Sequence, residues 1–365
     1  MPVRVQLRRP CGICGARQAP AKTGGLAMRR ASIGALFAAA FAAVPAAAQD
    51  VADFYDGKTV TVVSPSGVGG SIYAYALLVS NHIGRHIPGS PDAVIEARAG
   101  GGGVRAASWM TNAAPQDGTV IAELHPSSMV VPITRGMDEA NYDASAFHYL
   151  GSVAVRSYVG AVWAETGIES LEDLKGDRGA VFGASGTGSP SYQTVRFVAH
   201  VSGANLEVIP GYESGGQTNL AIERGEVQGR GNFYEGFLAT NPDWIADGKL
   251  NFLYRMGNAH PDLAGVPTPS EFVTTEEERR MLGLLEAPLK VGQAFYAPPG
   301  TPPERVDALR TAFESMLEDD AFLEEARSLN LVINPLGWEA VRAVVDDVYT
   351  TPRETADALE AVLAR

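Results

Sequence analysis

Gly183-Ala184-Ser185-Gly186-Thr187-Gly188-Ser189 follows the apolar run Ala180-Val181-Phe182. Far upstream, Pro65-Ser66-Gly67-Val68-Gly69-Gly70-Ser71 follows Val60-Thr61-Val62-Val63 in the same way. Each apolar run reads as a strand, and each loop opens a stretch of helical character. A loop of glycines and small hydroxyls exposes backbone N–H groups at the positive end of a helix dipole, which suits an anion. Two such loops, more than a hundred residues apart, predict two lobes that close on one acidic ligand.

Outward from these loops, strand-like and helix-like segments alternate, the pattern of an α/β protein. Strands are expected over 58–64, 93–97, 119–124, 180–182, 206–209, 226–231 and 290–297. Helices are expected over 72–86, 104–113, 191–201, 218–223, 304–317, 320–329 and 338–363. The apolar run 147–163, with Gly151 and Gly160 inside it, reads as strands carrying the chain from one lobe into the other. Ser170 with Asp173 three residues on reads as a capped short helix. Arg224-Gly225 reads as a glycine stop, and Pro303 suits the first position of a helix. The resulting plan is discontinuous: lobe one is 51–154 plus 290–365, and lobe two is 155–289. Two crossing strands then act as a hinge.

The chain has 365 residues. Met28-Arg29-Arg30, the uncharged apolar run 31–44 and Ala46-Ala47-Ala48 have the anatomy of a secretory signal peptide, and the run is too short for a membrane span. Residues 28–48 are therefore read as the signal peptide and 1–27 as a non-native N-terminal extension. That extension holds Cys11-Gly12-Ile13-Cys14, both cysteines of the chain. Zinc would need two further ligands and a redox motif a surrounding βαβ unit, so this pair is read as neither. Seven of the 29 Lys/Arg and none of the 42 Asp/Glu lie before residue 49, which leaves 22 basic and 42 acidic residues, net −20, in the remaining 317. That balance argues against nucleic acid and makes any anion depend on local donors. No later apolar stretch reaches the ~18 residues of a span.

Several short motifs recur in a fixed order: Pro65 to Gly70; Arg98, Gly100, Gly102 and Gly103; Ala114-Pro115-Gln116-Asp117-Gly118-Thr119; Gly183 to Pro190; Gly225 to Gln228; Val266-Pro267-Thr268; and Ala297 to Pro302. Together they cover nearly the whole acidic part. The ordered set resembles the substrate-binding proteins of tripartite tricarboxylate transporters, the Bug receptors. The resemblance implies a type II periplasmic binding-protein fold, with each lobe a sheet flanked by helices and the ligand cleft between lobes. It implies a small organic carboxylate as ligand and transporter membrane subunits as partners, in the periplasm. Two positions depart from it. Ile72 stands where many relatives carry an aspartate, which points away from an amino acid ligand. Arg230 stands where an uncharged residue is common.

The expected ligand-binding residues are Ser66, Gly69, Gly70 and Ser71 from the first loop, and Ser185, Gly186, Thr187, Gly188 and Ser189 from the second. His125, Ser127 and Ser128 follow a strand end, where α/β crevices bind ligands. Arg230 can pair bidentately with the far end of a dicarboxylate or form a structural ion pair with one of the many acids. Tyr158, Tyr192, Tyr212 and Tyr234 read as half-buried packing, and His82 and His86 as a solvated helix face without metal-site spacing. The sequence contains no Gly-x-Ser-x-Gly elbow, Gly-Lys-Ser/Thr phosphate loop, His-Glu-x-x-His or G-x-G-x-x-G. The expectation is a monomeric receptor without cofactor or metal, not an enzyme. A ligand sensor acting on a signalling partner, or a secreted hydrolase using Ser185, remain as other readings.

Overall fold

The computed structural model describes residues 51–364; the expected signal peptide, N-terminal extension and C-x-x-C pair lie outside them. Among the described residues ten strands run in chain order as β1 (Thr59–Ser64), β2 (Asp92–Ala97), β3 (Val120–Glu123), β4 (His148–Ser152), β5 (Ser157–Trp163), β6 (Ala180–Ala184), β7 (Leu206–Pro210), β8 (Gly229–Phe233), β9 (Leu250–Gly257) and β10 (Ala294–Ala297). They form two five-stranded sheets of order β2-β1-β3-β10-β4 and β7-β6-β8-β5-β9. The sheets share one plan. Three parallel strands are followed by an antiparallel one, β10 or β5, that arrives from the other side of the molecule.

Parallel neighbours need a crossover, and helices supply it. Ser71–His82 joins β1 to β2, Val104–Asn112 joins β2 to β3, Pro190–Ser202 joins β6 to β7, and Gly215–Glu223 joins β7 to β8. Both faces of each sheet are covered, so alternate residues of one strand enter different cores. Val60 and Val62 pack with Leu78, Val79 and Phe313, whereas Val63 packs with Met110, Tyr149 and Tyr296. In the second sheet Tyr158 and Val162 face one core, and Val159 and Ala161 the other. The molecule is thus α/β and two-lobed. The final helix, Arg353–Leu363, packs Leu359, Val362 and Leu363 with Phe197, Leu284 and Leu285 of the second sheet's core.

The structure departs from the sequence reading at several places. Residues 290–291 end a helix, Glu276–Val291, rather than begin a strand. Thr275 and Glu278 form a capping box that starts it, and Gly292 at φ +70° stops it. The expected helix 338–363 is two, Trp338–Val348 and Arg353–Leu363, broken before Pro352, which cannot continue a helix. Gly215 and Gly216, read as turn, open the helix Gly215–Glu223 behind the cap of Ser214. Strand β9, with its mixture of polar and apolar residues, has no clean period and went unread. His82 is not solvated: its Nε2 lies 2.6 Å from Glu325, its ring meets Phe322, and His86 pairs with Asp319 at 3.0 Å.

Two crossings join the sheets, residues 153–156 and 292–293. They pair with each other: Gln293 N–H donates to Ala154 O, and Val153 N–H donates to Gln293 O, both at 3.0 Å. On the far side of the cleft the lobes meet backbone to backbone. Gly67 N–H donates to Glu213 O at 2.8 Å, and a Cβ on Gly186 would lie 2.5 Å from the Gly102 nitrogen. Gly186 does not have a positive φ, so alanine there meets only this steric obstacle. Gly186→Ala is expected to hold the loops apart, raising the radius of gyration in small-angle scattering while the far-UV spectrum stays unchanged. An unchanged radius would show that the contact does not set lobe closure.

Candidate functional site

The loops after β1 and β6 lie at the carboxyl ends of interior strands of their sheets, where open α/β sheets bind ligands. In the first, Gly70 is the residue before the helix Ser71–His82 and no side chain caps that helix. In the second, Ser189 precedes the helix Pro190–Ser202, again without a side-chain cap. Helix N-terminal N–H groups lack intrahelical partners, so both helix ends keep donors for another acceptor.

Between the loops lie two adjoining cavities of about 40 and 30 Å³, which share Ser66, Ile72, Gly215, Arg230 and Asn232. Ligand sites typically span about 300–1,000 Å³, so an organic acid enters only if the lobes part. A larger open groove of about 630 Å³, between helices Glu276–Val291 and Trp338–Val348, shares no residue with the two loops.

Of the expected residues, Ser66, Gly70, Ser71, His125, Ser185 and Arg230 line the cavities. Gly69 lies on the outer rim, beside Gly216. Gly186 and Gly188 pack on Gly101 and Gly102, and so form the lobe contact rather than the cavity wall. Thr187 is half-buried and does not line the cavities. Ser189 spends its hydroxyl inside the loop, donating to Gly186 O at 2.7 Å. Ser191, which sequence reasoning missed, lines the cavity and accepts from Ser185 N–H at 3.2 Å. Ser127 and Ser128 fold away in a short 3-10 turn, where Ser128 O accepts from Tyr142 at 2.8 Å. Tyr158, read as packing, also reaches the cavity wall.

Arg230, on β8, is 8% exposed. Its Nη1 donates to Gly215 O at 2.7 Å and to Asn219 Oδ1 at 2.8 Å. These partners are neutral, and among the described residues no carboxylate pairs with it. Burial lowers its pKa to about 10, so it keeps its charge at neutral pH. The expected alternative of a structural ion pair is therefore not what the geometry has. Ile72 faces both cavities and gives their wall an apolar patch.

A second buried guanidinium stands behind the first loop. Arg156, in the first crossing, is 1% exposed, and its Nη1 donates to Ser71 Oγ at 3.3 Å. Sequence reasoning missed it, although it is the only Lys, Arg, Asp or Glu in the run 147–163. The cleft is thus lined and backed by cations in a strongly acidic chain, which favours an anion over a cation or a neutral sugar.

His125 follows β3, is 6% exposed, and its Nδ1 has no partner. Burial pushes its pKa down to about 4. The unfolded chain takes up this proton near 6.5 and the folded chain near 4, so stability present above pH 6.5 is lost as pH falls through that interval. The loss amounts to at most about 3 kcal/mol. Glu123, whose pKa burial raises, acts in the opposite sense but is common to any pair of variants. His125→Asn is expected to lose less melting temperature than the unaltered protein between pH 7 and pH 5. Parallel curves would show that His125 does not titrate in this way.

Comparison with known proteins gives concordant results. The family model described as "Tripartite tricarboxylate transporter family receptor" matches residues 85–335, over half of the chain. Among solved structures, the periplasmic binding protein BugD is similar with a TM-score of 0.67 and 20% identity, over 84% of this chain and 98% of that one. R. palustris Rpa4515, solved with adipate, gives 0.62 and 20%, over 83% and 97%. MatC from Rhodopseudomonas palustris, with bound malate, gives 0.62 and 19%, over 84% and 99%. At these identities the structures speak for the fold. Comparison with curated protein sequences finds no match. No helix among the described residues is long and apolar enough to cross a membrane. By the extent of the family match, the chain belongs to the tripartite tricarboxylate transporter family of receptors.

Proposed function

We propose that this protein is a periplasmic receptor that captures a small organic carboxylate between its lobes and hands it to the membrane subunits of a tripartite transporter. The observation that carries the ligand class is Arg230, a buried guanidinium on the cavity wall held by a carbonyl and an amide instead of an acid. A buried cation without a counter-ion is costly, and a carboxylate from outside would neutralise it with short, charge-assisted bonds. Adipate and malate in the related structures are carboxylates too.

One ligand carboxylate meets the first loop through Ser66, Gly70 and Ser71 and the second through Ser185. The far end of a dicarboxylate reaches Arg230, with His125 as a neutral wall. Gly69, Gly186, Thr187, Gly188, Ser189, Ser127 and Ser128 shape and close the loops. Ile72 at the wall leaves no acid there for a ligand amino group, which favours carboxylates without one. The mechanism is closure about the crossings 153–156 and 292–293, with capture and release as its only steps and no chemistry on the ligand. The monomer is sufficient for it, because both lobes come from one chain.

The reading is tested by calorimetry with adipate, malate, succinate and hexanoate. At least one is expected to bind and to raise the melting temperature by mass action. Arg230→Gln is expected to weaken dicarboxylates by about tenfold to a hundredfold, the range of a charged hydrogen bond, and hexanoate much less. Equal losses for both classes would remove Arg230 from the distal role.

A further inference from the structure

Arg156 is clamped from several sides at the hinge. The Tyr75 ring of the first lobe lies 4.9 Å from its guanidinium carbon and the Phe233 ring of the second lobe 4.0 Å. With the amide of Gln293, on the other crossing, turned so that both of its ends are satisfied, its oxygen accepts from Arg156 Nη2 and its nitrogen donates to Glu123. Both crossings and both lobes therefore converge on one side chain. Glu123 is fully buried; burial raises its pKa above the usual carboxylate range, and the nearby Arg156 charge acts against that rise. The other nearby acid, Glu235, has both oxygens on the backbone N–H of Ser157 at 3.1 Å. Arg156 Nε has no partner.

The remaining contact points toward the cleft. Arg156 Nη1 donates to the Ser71 hydroxyl oxygen, and Ser71 lines the cavity. With its oxygen accepting from the guanidinium, the hydroxyl has its own proton left to donate, polarised by the charge behind it. Resting on the carboxylate reading of the cleft, we propose that Arg156 is a positioning residue that couples an anion at the Ser71 hydroxyl to closure of the lobes. It sets Ser71 as a donor on one side and is held between a ring from each lobe on the other. Parting the lobes has to loosen one ring from the guanidinium, and an anion at Ser71 favours the arrangement in which both are in place.

Three variants separate this role from a structural one: Ser71→Ala, Arg156→Lys and Phe233→Leu, with the double variant of the first two. Lysine keeps the charge but cannot span Ser71 and Gln293 together. The affinities for adipate and malate are measured by calorimetry, and the radius of gyration without added ligand by scattering. Ser71→Ala and Arg156→Lys are each expected to weaken binding about tenfold, and the double variant no further, because coupled residues are not additive. Arg156→Lys and Phe233→Leu are expected to enlarge the radius and Ser71→Ala to leave it unchanged. Multiplying losses, or a wild-type radius in Phe233→Leu, would overturn the proposal, and the latter holds even if Arg156→Lys does not fold. If the unaltered protein binds none of the acids, the carboxylate reading falls, and the scattering comparison still decides the clamp.

Discussion

Everything in this molecule hangs on two short backbone crossings that hydrogen-bond to each other, Val153 and Ala154 with Gln293. Because one passes outward as β5 and the other returns as β10, each sheet receives an antiparallel strand next to three parallel ones. That shared order aims the loops after β1 and β6 at one another. Neither loop would face anything if the crossings were long or unpaired. Gly292 has its Cα beside the Ala154 carbonyl oxygen, where a Cβ would not fit. The crossings can lie this close only because that residue is glycine.

The cleft is the second consequence. Its rims are glycine against glycine, Gly69 on Gly216 and Gly186 on Gly101 and Gly102, so at these rims the two sides approach through backbone. Such contact buries little apolar area and adds few interlocking side chains, which suits a surface that opens and closes. The strong packing lies elsewhere, in the cores on both faces of each sheet. The polar side chains that line the cleft include small hydroxyls, Tyr158, Asn232, His125 and the buried Arg230. A net acidic surface and a locally cationic cavity coexist because burial removes solvent screening inside while the surface charges remain in water.

Much of the fold was legible because strands, crossover helices and turns leave local marks. The capped turn at Ser170 and Asp173, the glycine stop at Gly225 and the proline start at Pro303 are found where the spacing puts them. The failures are also local in origin. Leu289-Lys290-Val291 is apolar enough for a strand or a helix end, and only the distant cap at Thr275 decides between them. Pro352 interrupts an amphipathic pattern whose apolar spacing runs on both sides of it, so the periodicity alone does not show the break. In the site, Ser66, Gly70, Ser71, Ser185, His125 and Arg230 were legible as loop donors and strand-end residues. Ser191 and Arg156 were not, since a serine inside a helix and an arginine in an apolar run carry no motif.

The sequence by itself determined the alternation of strands and helices and the family to which it belongs. These rest on periodicity, capping residues and glycine positions, which act over a few residues. Only the tertiary structure decided which of the loop hydroxyls point inward, that Arg230 is held by a carbonyl and an amide, and that Arg156 sits between rings from both lobes. Arg156 meets Tyr75 and Phe233 from more than seventy positions away in the chain, and Arg230 meets residues of a different element, so no local rule relates them. The same buried arginine is an ion-pair partner or an anion anchor according to what the fold places beside it.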